Sequence, residues 1–217
     1  MLLTGFEGYG GRAVNPSEEV VRRLHGTRIE GVAVEGRTLP VRYLELGPRI
    51  AALMEEVRPQ AVLCLGLWPG EPLLRLERIA VNIADFEIPD NAGFVTRGPV
   101  VEGGAEAYRS TLPLDRIRER LLAAGIPARL SSTAGNFLCN ALMYQALRLC
   151  AGRTPAPPCG FIHLPYLPAQ VAGMLAETER QARLELHQRS DLASMALETQ
   201  VEGIRLAIET VLEVALA

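Results

Sequence analysis

The chain reads Ala61-Val62-Leu63-Cys64-Leu65 at one point, without a charged or strongly polar residue. A strand that is apolar on both sides is typical of the centre of a parallel sheet, because helices cover both faces of such a sheet. Directly before this run, apolar residues recur at the spacing of one helix face and end in a proline: Ile50, Leu53, Met54, Val57 and Pro59. The run therefore predicts a buried central strand that follows a helix.

Strand and helix patterns alternate in both directions from this run. The predicted further strands are 1–5, 32–39, 78–84, 128–132 and 161–164. The predicted further helices are a segment that Asn15-Pro16-Ser17 opens and Gly26 ends, 115–124, 135–149, and one or two within 191–216, whereas 85–112 is expected to be irregular. Such alternation is typical of an α/β fold. We expect one domain over 1–217, built as a three-layer α/β/α sandwich with a twisted, mixed but mainly parallel central sheet.

The composition excludes several classes of function. The formal net charge is -3 and no five like charges follow one another, so we expect neither a nucleic acid nor an anionic membrane as partner. All 22 basic residues are arginine, which excludes a P-loop lysine and a Schiff-base lysine. Four cysteines without a C-x-x-C pair and three scattered histidines predict no metal, and we expect no cofactor. Without a signal peptide or a membrane-spanning apolar run, a cytoplasmic protein with reduced thiols is expected.

Cys139 is the strongest candidate for a nucleophile. It lies near the start of the predicted helix 135–149, where backbone N–H groups favour a thiolate over a thiol. Cys64 lies inside the buried run, Cys150 ends a helix and Cys159 follows a proline-rich loop, so none of them has such a setting. A free cysteine is more often a small buried hydrophobe, and residue type alone leaves that reading open.

A thiol hydrolase also needs a base, and His163 is the best partner for Cys139. His163 lies in an apolar strand that runs into a turn, and α/β sites gather where such strands end. His25 and His187 lie in polar surroundings. A third group should orient the imidazole, and the pattern leaves four carboxylates open: Glu77, Asp85, Glu87 and Asp90.

A glycine-rich loop, 5–11, follows the first strand. Its glycines do not have the G-x-G-x-x-G spacing, and Glu7 would repel a pyrophosphate, so nucleotide binding is disfavoured. The loop is therefore either a plain turn or a substrate loop in which Phe6 and Tyr9 present apolar faces.

Four segments together resemble pyroglutamyl peptidase I, the family of pyrrolidone-carboxylate peptidases. They are Gly5-Phe6-Glu7-Gly8-Tyr9-Gly10-Gly11 with Val14-Asn15-Pro16-Ser17; Glu77-Arg78-Ile79-Ala80-Val81-Asn82 leading to Ile88-Pro89-Asp90-Asn91; Ser132-Thr133-Ala134-Gly135-Asn136-Phe137-Leu138-Cys139-Asn140; and Gly160-Phe161-Ile162-His163-Leu164-Pro165-Tyr166. They follow the family's order across almost the whole chain, and the set is far more specific than any one of them.

The resemblance implies a cysteine exopeptidase that removes an N-terminal pyroglutamyl residue from peptides. It implies a triad of Cys139 as nucleophile, His163 as base and Glu77 as acid, and so selects one of the four carboxylates. It also implies a pocket for the lactam ring, with apolar walls and one polar contact from Asn15; the walls would be Phe6, Tyr9, Ile88, Phe137 and Leu138. A homo-oligomer, often a tetramer, is implied as well.

The chain departs from the family pattern at a few positions. Gly8-Tyr9 replaces the usual Pro-Phe, and Glu71 and Glu87 stand where arginine is expected, which puts any arginine-dependent contact in doubt. Two other readings stay open at this point. One is a thiol hydrolase that acts on another small acyl amide, and the other is a non-catalytic α/β ligand-binding module with a structural Cys139.

Overall fold

The computed structural model describes residues 1–181 and 192–215. The strands are β1 Leu2–Phe6, β2 Arg28–Ile29, β3 Val32–Ala33, β4 Glu35–Leu39, β5 Val62–Leu67, β6 Leu74–Glu77, β7 Ile79–Val81, β8 Ala84–Asp85, β9 Arg97–Gly98, β10 Ala107–Arg109, β11 Ala128–Ser131 and β12 Cys159–Leu164. The helices are α1 Pro16–Leu24, α2 Tyr43–Val57, α3 Leu114–Ala123, α4 Leu138–Ala151, α5 Pro168–Gln181 and α6 Leu197–Ala215.

Six of these strands form the central sheet, in the order β11-β6-β12-β5-β1-β4. All neighbouring strands are parallel except β12 and β6, which are antiparallel. The apolar run at 61–65 forms most of β5, between β12 and β1. The predicted mixed, mainly parallel sheet is therefore confirmed, and its most apolar strand lies at an inner position, as expected for a strand buried on both faces.

Helices cover both faces of the sheet, which confirms the three layers. Leu63 and Leu65 of β5 belong to one apolar cluster with α1, α3 and α6, for example with Ile208. Val62 and Cys64 point the other way and belong to a second cluster with α2 and α4. This alternation follows from the two-residue period of a strand. It means that any β12 or β6 side chain directed toward α4 lies on the same side as Cys64.

The predicted strand at 78–84 was wrong in its bounds. The sheet strand is β6, and β7 instead pairs with β10 in a separate two-stranded ribbon. The prediction rested on the alternation of Ile79, Val81 and Ile83, yet Ala80 is the buried residue and Ile83 is 51% exposed. The ribbon packs on α4 through the small side chain of Ala80, so tertiary packing overrides the β-propensity of the larger residues.

Helix boundaries also differ from the predictions. α4 begins at Leu138 and not at residue 135, because Gly135 has a left-handed φ of 80° and Phe137 is extended. α6 begins at Leu197; residues 191 and 216 of the predicted segment lie outside the described residues. α5 and the split of 32–39 into β3 and β4 were not predicted. None of the helices in the described ranges is long and apolar enough to cross a membrane.

Asn140 joins α4 to the ribbon beside it. Its Nδ2 donates to the backbone oxygens of Val81 and Ile83, each at 2.9 Å, and its Oδ1 accepts from the Val81 N–H at 2.9 Å. The side chain is buried, with 1% exposure. These three bonds satisfy partly buried backbone groups of Val81 in β7 and of Ile83 just after it, and they fix the first turn of α4 in place.

We expect Asn140→Leu to lower the free energy of unfolding by about 3 kcal/mol, because the similar-sized side chain removes three hydrogen bonds to partly buried backbone groups. Urea unfolding followed by circular dichroism measures the change. Gln145→Met on the same helix is the control, since the Gln145 amide forms no hydrogen bond with another described residue. A loss in Asn140→Leu no larger than in the control would contradict the assigned anchoring.

Candidate active site

Three neighbouring strands bring the candidate residues to one face of the sheet. Across the parallel pair β12 and β5, His163 is opposite Gly66. Across the antiparallel pair β12 and β6, His163 is opposite Arg75, and Phe161 is opposite Glu77. All five residues lie on the face that α4 covers, because strand residues two apart share a face. Glu77 is thus diagonal to His163 and within reach of its ring.

His163 and Glu77 are hydrogen-bonded and buried. The ring Nδ1 lies 2.8 Å from Glu77 Oε1, and the two side chains are 1% and 0% exposed. Two aromatic rings contact the imidazole, Phe161 at 4.7 Å and Trp68 at 5.0 Å between centroids. The structure therefore brings Glu77, and not one of the other three carboxylates, to the imidazole.

Cys139 is the second residue of α4 and sits directly over the sheet. A Cβ atom added to Gly66 would lie 2.8 Å from Cys139 Sγ and 2.8 Å from the Phe161 ring. The sulfur therefore rests against the backbone of β5, and any side chain at position 66 would displace it. The start of α4 has no side-chain cap, so the N–H groups of its first turn are free to bind an anion or a developing negative charge.

A cavity of about 360 Å³ opens beside these groups. Cys139 and His163 both line it. So do all six residues predicted to form the pocket: Phe6, Tyr9, Asn15, Ile88, Phe137 and Leu138. The volume lies in the range of about 300 to 1,000 Å³ that small-molecule sites occupy.

Asn15 contributes less polarity to the cavity than expected. Its Oδ1 accepts hydrogen bonds from the N–H and the hydroxyl of Ser17, as the cap of α1, and its Nδ2 donates to the backbone oxygen of Glu7. Asn15 thus fixes the loop between β1 and α1, and one amide N–H is left for a ligand.

The other carboxylates and histidines have different surroundings. Asp90 accepts hydrogen bonds from the N–H groups of Tyr43, Ala92 and Phe94; burial opposes the charge, but these bonds hold the pKa of Asp90 below its ordinary value. Asp85 pairs with Arg97 at 2.8 Å, and Glu87 lines the cavity mouth. His25 is exposed, and His187 lies outside the described residues.

The charge states differ from the expected thiolate. Burial of the sulfur, with the nearby Glu77 carboxylate and Cys64, raises the pKa of the Cys139 thiol to about 12. Burial likewise lowers the pKa of His163 below its ordinary value, although Glu77 acts in the opposite direction. No hydrogen bond joins Sγ to the imidazole among the contacts of the described residues. Without substrate, the pair is therefore a neutral thiol and a neutral imidazole.

Two residues that support His163 and Glu77, Trp68 and Arg75, were not predicted from the sequence. Trp68 is the single tryptophan and follows β5 at the edge where α/β sites gather, a signal that was available. Arg75 precedes Glu77 by two residues, in a segment where Leu74 and Leu76 alternate with charged residues. Identification of this segment as a strand would have placed Arg75 and Glu77 on one face.

We expect alkylation of Cys139 by iodoacetamide to keep accelerating with pH through at least pH 9.5, because the thiolate is the reactive form and its pKa is raised to about 12. Peptide mapping of the modified protein after timed reactions at each pH measures the rate at this position. A rate that reaches its plateau below pH 8 would instead show that the thiolate exists before substrate binds.

Known proteins resemble the chain over its whole length. A model of the pyroglutamyl peptidase family matches residues 1–214. The pyrrolidone-carboxylate peptidase of Pyrococcus furiosus is 37% identical over 214 residues, which cover 98% of each chain. That of Coprothermobacter proteolyticus is 40% identical over 214 residues, 98% of this chain and 97% of the relative.

The fold agrees with these relatives. A solved structure of a mutant pyrrolidone carboxyl peptidase from Pyrococcus furiosus superposes with a TM-score of 0.90 at 37% identity, covering 99% of this chain and 98% of the other. With both sequence and fold matched end to end, the chain belongs to the pyroglutamyl peptidase family.

Proposed function

We propose that the protein is a cysteine exopeptidase that hydrolyses the bond after an N-terminal pyroglutamyl residue of peptides. One observation carries the proposal: in a chain of this family, Cys139 and the Glu77-bonded His163 line one largely apolar cavity. Thiol and imidazole supply a nucleophile and a base, and the cavity supplies a place for the acyl group.

The cavity suits a neutral lactam better than an ordinary N-terminus. Phe137 packs against the rings of Tyr9 and Phe86, with centroids 6.0 and 4.4 Å apart, so the walls around the ring position are aromatic. A pyroglutamyl ring has no charged amine and loses little when it leaves water. A free α-ammonium group would lose its hydration against these aromatic walls. Of the two carboxylates that line the cavity, Asp85 is already paired with Arg97 and Glu87 is exposed to solvent.

Acylation begins from the neutral pair. As the Cys139 sulfur attacks the pyroglutamyl carbonyl carbon, His163 Nε2 takes up the thiol proton, and a C–S bond forms. The proton then passes from the imidazolium to the leaving amine as the C–N bond breaks. Glu77, bonded to Nδ1, stabilises the imidazolium that forms in between. The hydrogen bond between sulfur and imidazole has to form when substrate binds, as is common in thiol and serine hydrolases.

The first turn of α4 is the site for the developing oxyanion. Its uncapped N–H groups lie beside the sulfur, and each donor in comparable sites contributes about 3 kcal/mol to the transition state. In deacylation, His163 activates a water molecule, which attacks the thioester and releases pyroglutamate and the free thiol.

Several expectations remain part of this proposal. They are a single domain over 1–217, a cytoplasmic location, and assembly into a homo-oligomer such as a tetramer, without a nucleic acid, membrane or cofactor partner. The family of the chain supports a peptide substrate with an N-terminal pyroglutamate.

We expect Cys139→Ala to abolish hydrolysis of a pyroglutamyl anilide, because no other thiol lines the cavity among the described residues. Release of the coloured amine measures the rate. Cys150→Ala is the matched control: this buried cysteine lies at the far end of the same helix and should leave turnover within about two-fold of wild type. Equal rates in wild type and Cys139→Ala would refute the proposal.

We expect prolyl anilide to be hydrolysed at least about 100-fold more slowly than pyroglutamyl anilide, measured as kcat/KM, because its ring amine is charged and must be desolvated. The two rings differ mainly in that charge and in one carbonyl oxygen, so the ratio of the two kcat/KM values measures the selectivity of the cavity. Comparable values for the two substrates would favour a less specific amidase.

A further inference from the structure

Arg75 is a buried cation that lies directly behind the candidate catalytic pair. Its guanidinium Nε donates to Glu77 Oε1 at 3.2 Å, the same oxygen that His163 Nδ1 contacts at 2.8 Å. The other nitrogens donate to Glu71 at 3.1 Å, to the Ser131 hydroxyl at 2.8 Å and to the Thr133 backbone oxygen at 3.0 Å. Arg75 is 5% exposed, so this fork of bonds is held away from water.

The same guanidinium also stacks on Trp68. Its central carbon lies 3.7 Å from the centroid of the indole, within the range of a cation–π contact. Trp68 in turn contacts the His163 ring edge-on, at an interplanar angle of 78°. Arg75 therefore touches two of the groups that contact the imidazole, the carboxylate at its Nδ1 and one of its aromatic neighbours.

We propose that Arg75 is a positioning residue: it holds the Glu77 carboxylate and the Trp68 ring in place, and through both it fixes the orientation of His163. The proposal rests on the function assigned above to His163 and Glu77. Arg75 does not line the cavity and need not touch the substrate.

Glu77 needs such a partner for its charge. Its side chain is fully buried, and its Oε2 has no hydrogen-bond partner within the described ranges. Oε1 alone therefore links the carboxylate to Arg75 and His163. A buried carboxylate without compensating partners is strongly disfavoured, so the bond from Arg75 stabilises the Glu77 side chain where it accepts from His163 Nδ1.

The departure from the family pattern at position 71 is accounted for by the contacts of Glu71. It stands where an arginine was expected, and it accepts from Arg75 and from Arg129. The guanidinium beside the pair thus comes from Arg75, on strand β6, and Glu71 is its outer counter-ion. The reversed charge at position 71 does not remove an arginine from the site.

Charges on the neighbouring elements set the titration of His163. Burial lowers its pKa, the hydrogen bond and charge of Glu77 raise it, the charge of Arg75 lowers it, and that of Glu71 raises it. Cys139 faces it from α4 as a neutral thiol. Removal of the Arg75 charge should therefore raise the pKa of His163, and neutralisation of Glu71 should lower it.

The test compares Arg75→Met with Arg78→Met. Arg78 also bonds to the end of β11, at the Ser131 backbone oxygen and the Ser132 hydroxyl, but has no bond to Glu77, so it controls for a loosened loop. We expect kcat for pyroglutamyl anilide to fall by at least about ten-fold in Arg75→Met, with KM changed by less than about three-fold, because orientation of the base is lost while the pocket remains. Arg78→Met should keep both constants near wild type.

Histidine NMR with ¹³C-labelled side chains gives a readout that does not depend on catalysis. The titration midpoint of His163 is expected to rise in Arg75→Met and to stay unchanged in Arg78→Met. In Glu71→Gln it is expected to fall. Glu71→Gln is a milder change that keeps Arg75 in place, and it serves as the test if Arg75→Met does not fold. The resonances of His25 and His187 are assigned by substitution. An unshifted or lowered midpoint in folded Arg75→Met, a kcat within two-fold of wild type, or an unshifted midpoint in Glu71→Gln would overturn the positioning role. A wild type that hydrolyses no pyroglutamyl anilide would instead refute the proposed function.

Discussion

A fully buried carboxylate is the constraint around which this site is organised. Glu77 has no exposed surface, and removal of a charge from water costs several kcal/mol unless other groups compensate it. Here the compensation comes from Arg75 and from the ring of His163, which share one carboxylate oxygen. The antiparallel pairing of β6 with β12 makes this possible, because it sets Glu77 diagonal to His163 on the face that α4 covers. An otherwise parallel sheet with one antiparallel pair is thus the frame of the site.

The remaining geometry follows from close packing over that frame. Gly66 lets the first turn of α4 approach the sheet, so that Cys139 Sγ rests against strand backbone beside the imidazole. Three parts of the site are therefore neighbours: the uncapped amides of that turn, the aromatic walls of the cavity, and the hydrogen-bonded side chains of His163 and Glu77. Burial has a chemical consequence too: it disfavours the charged forms of both Cys139 and His163, so that the ion pair develops during the reaction rather than before it. Helix position alone would have suggested the opposite, since the amide end of a helix favours a thiolate.

Much of the fold could be predicted from local patterns, and the errors have physical causes. The apolar run of β5, the capped start of α1 at Asn15 and the strand around His163 all agree with the structure, because burial and capping leave direct marks on the sequence. The strand at 74–77 was missed because the neighbouring β-branched residues of 79–83 gave a stronger but misleading alternation. As a result, spacing could not choose among four carboxylates, and the resemblance to the family singled out Glu77. The contact of Arg75 with Trp68 depends on two segments, β6 and the end of β5, meeting in space, and no local pattern contains that information.

The central claim is that the Cys139 sulfur carries the pyroglutamyl group during hydrolysis. Mass spectrometry of enzyme quenched in acid during turnover of an activated pyroglutamyl ester tests it most directly, because acid stops deacylation and preserves a thioester. The account predicts a mass increase of one pyroglutamyl group, located by peptide mapping on the segment that contains Cys139. An adduct on another residue, or rapid turnover without any covalent adduct, would contradict it.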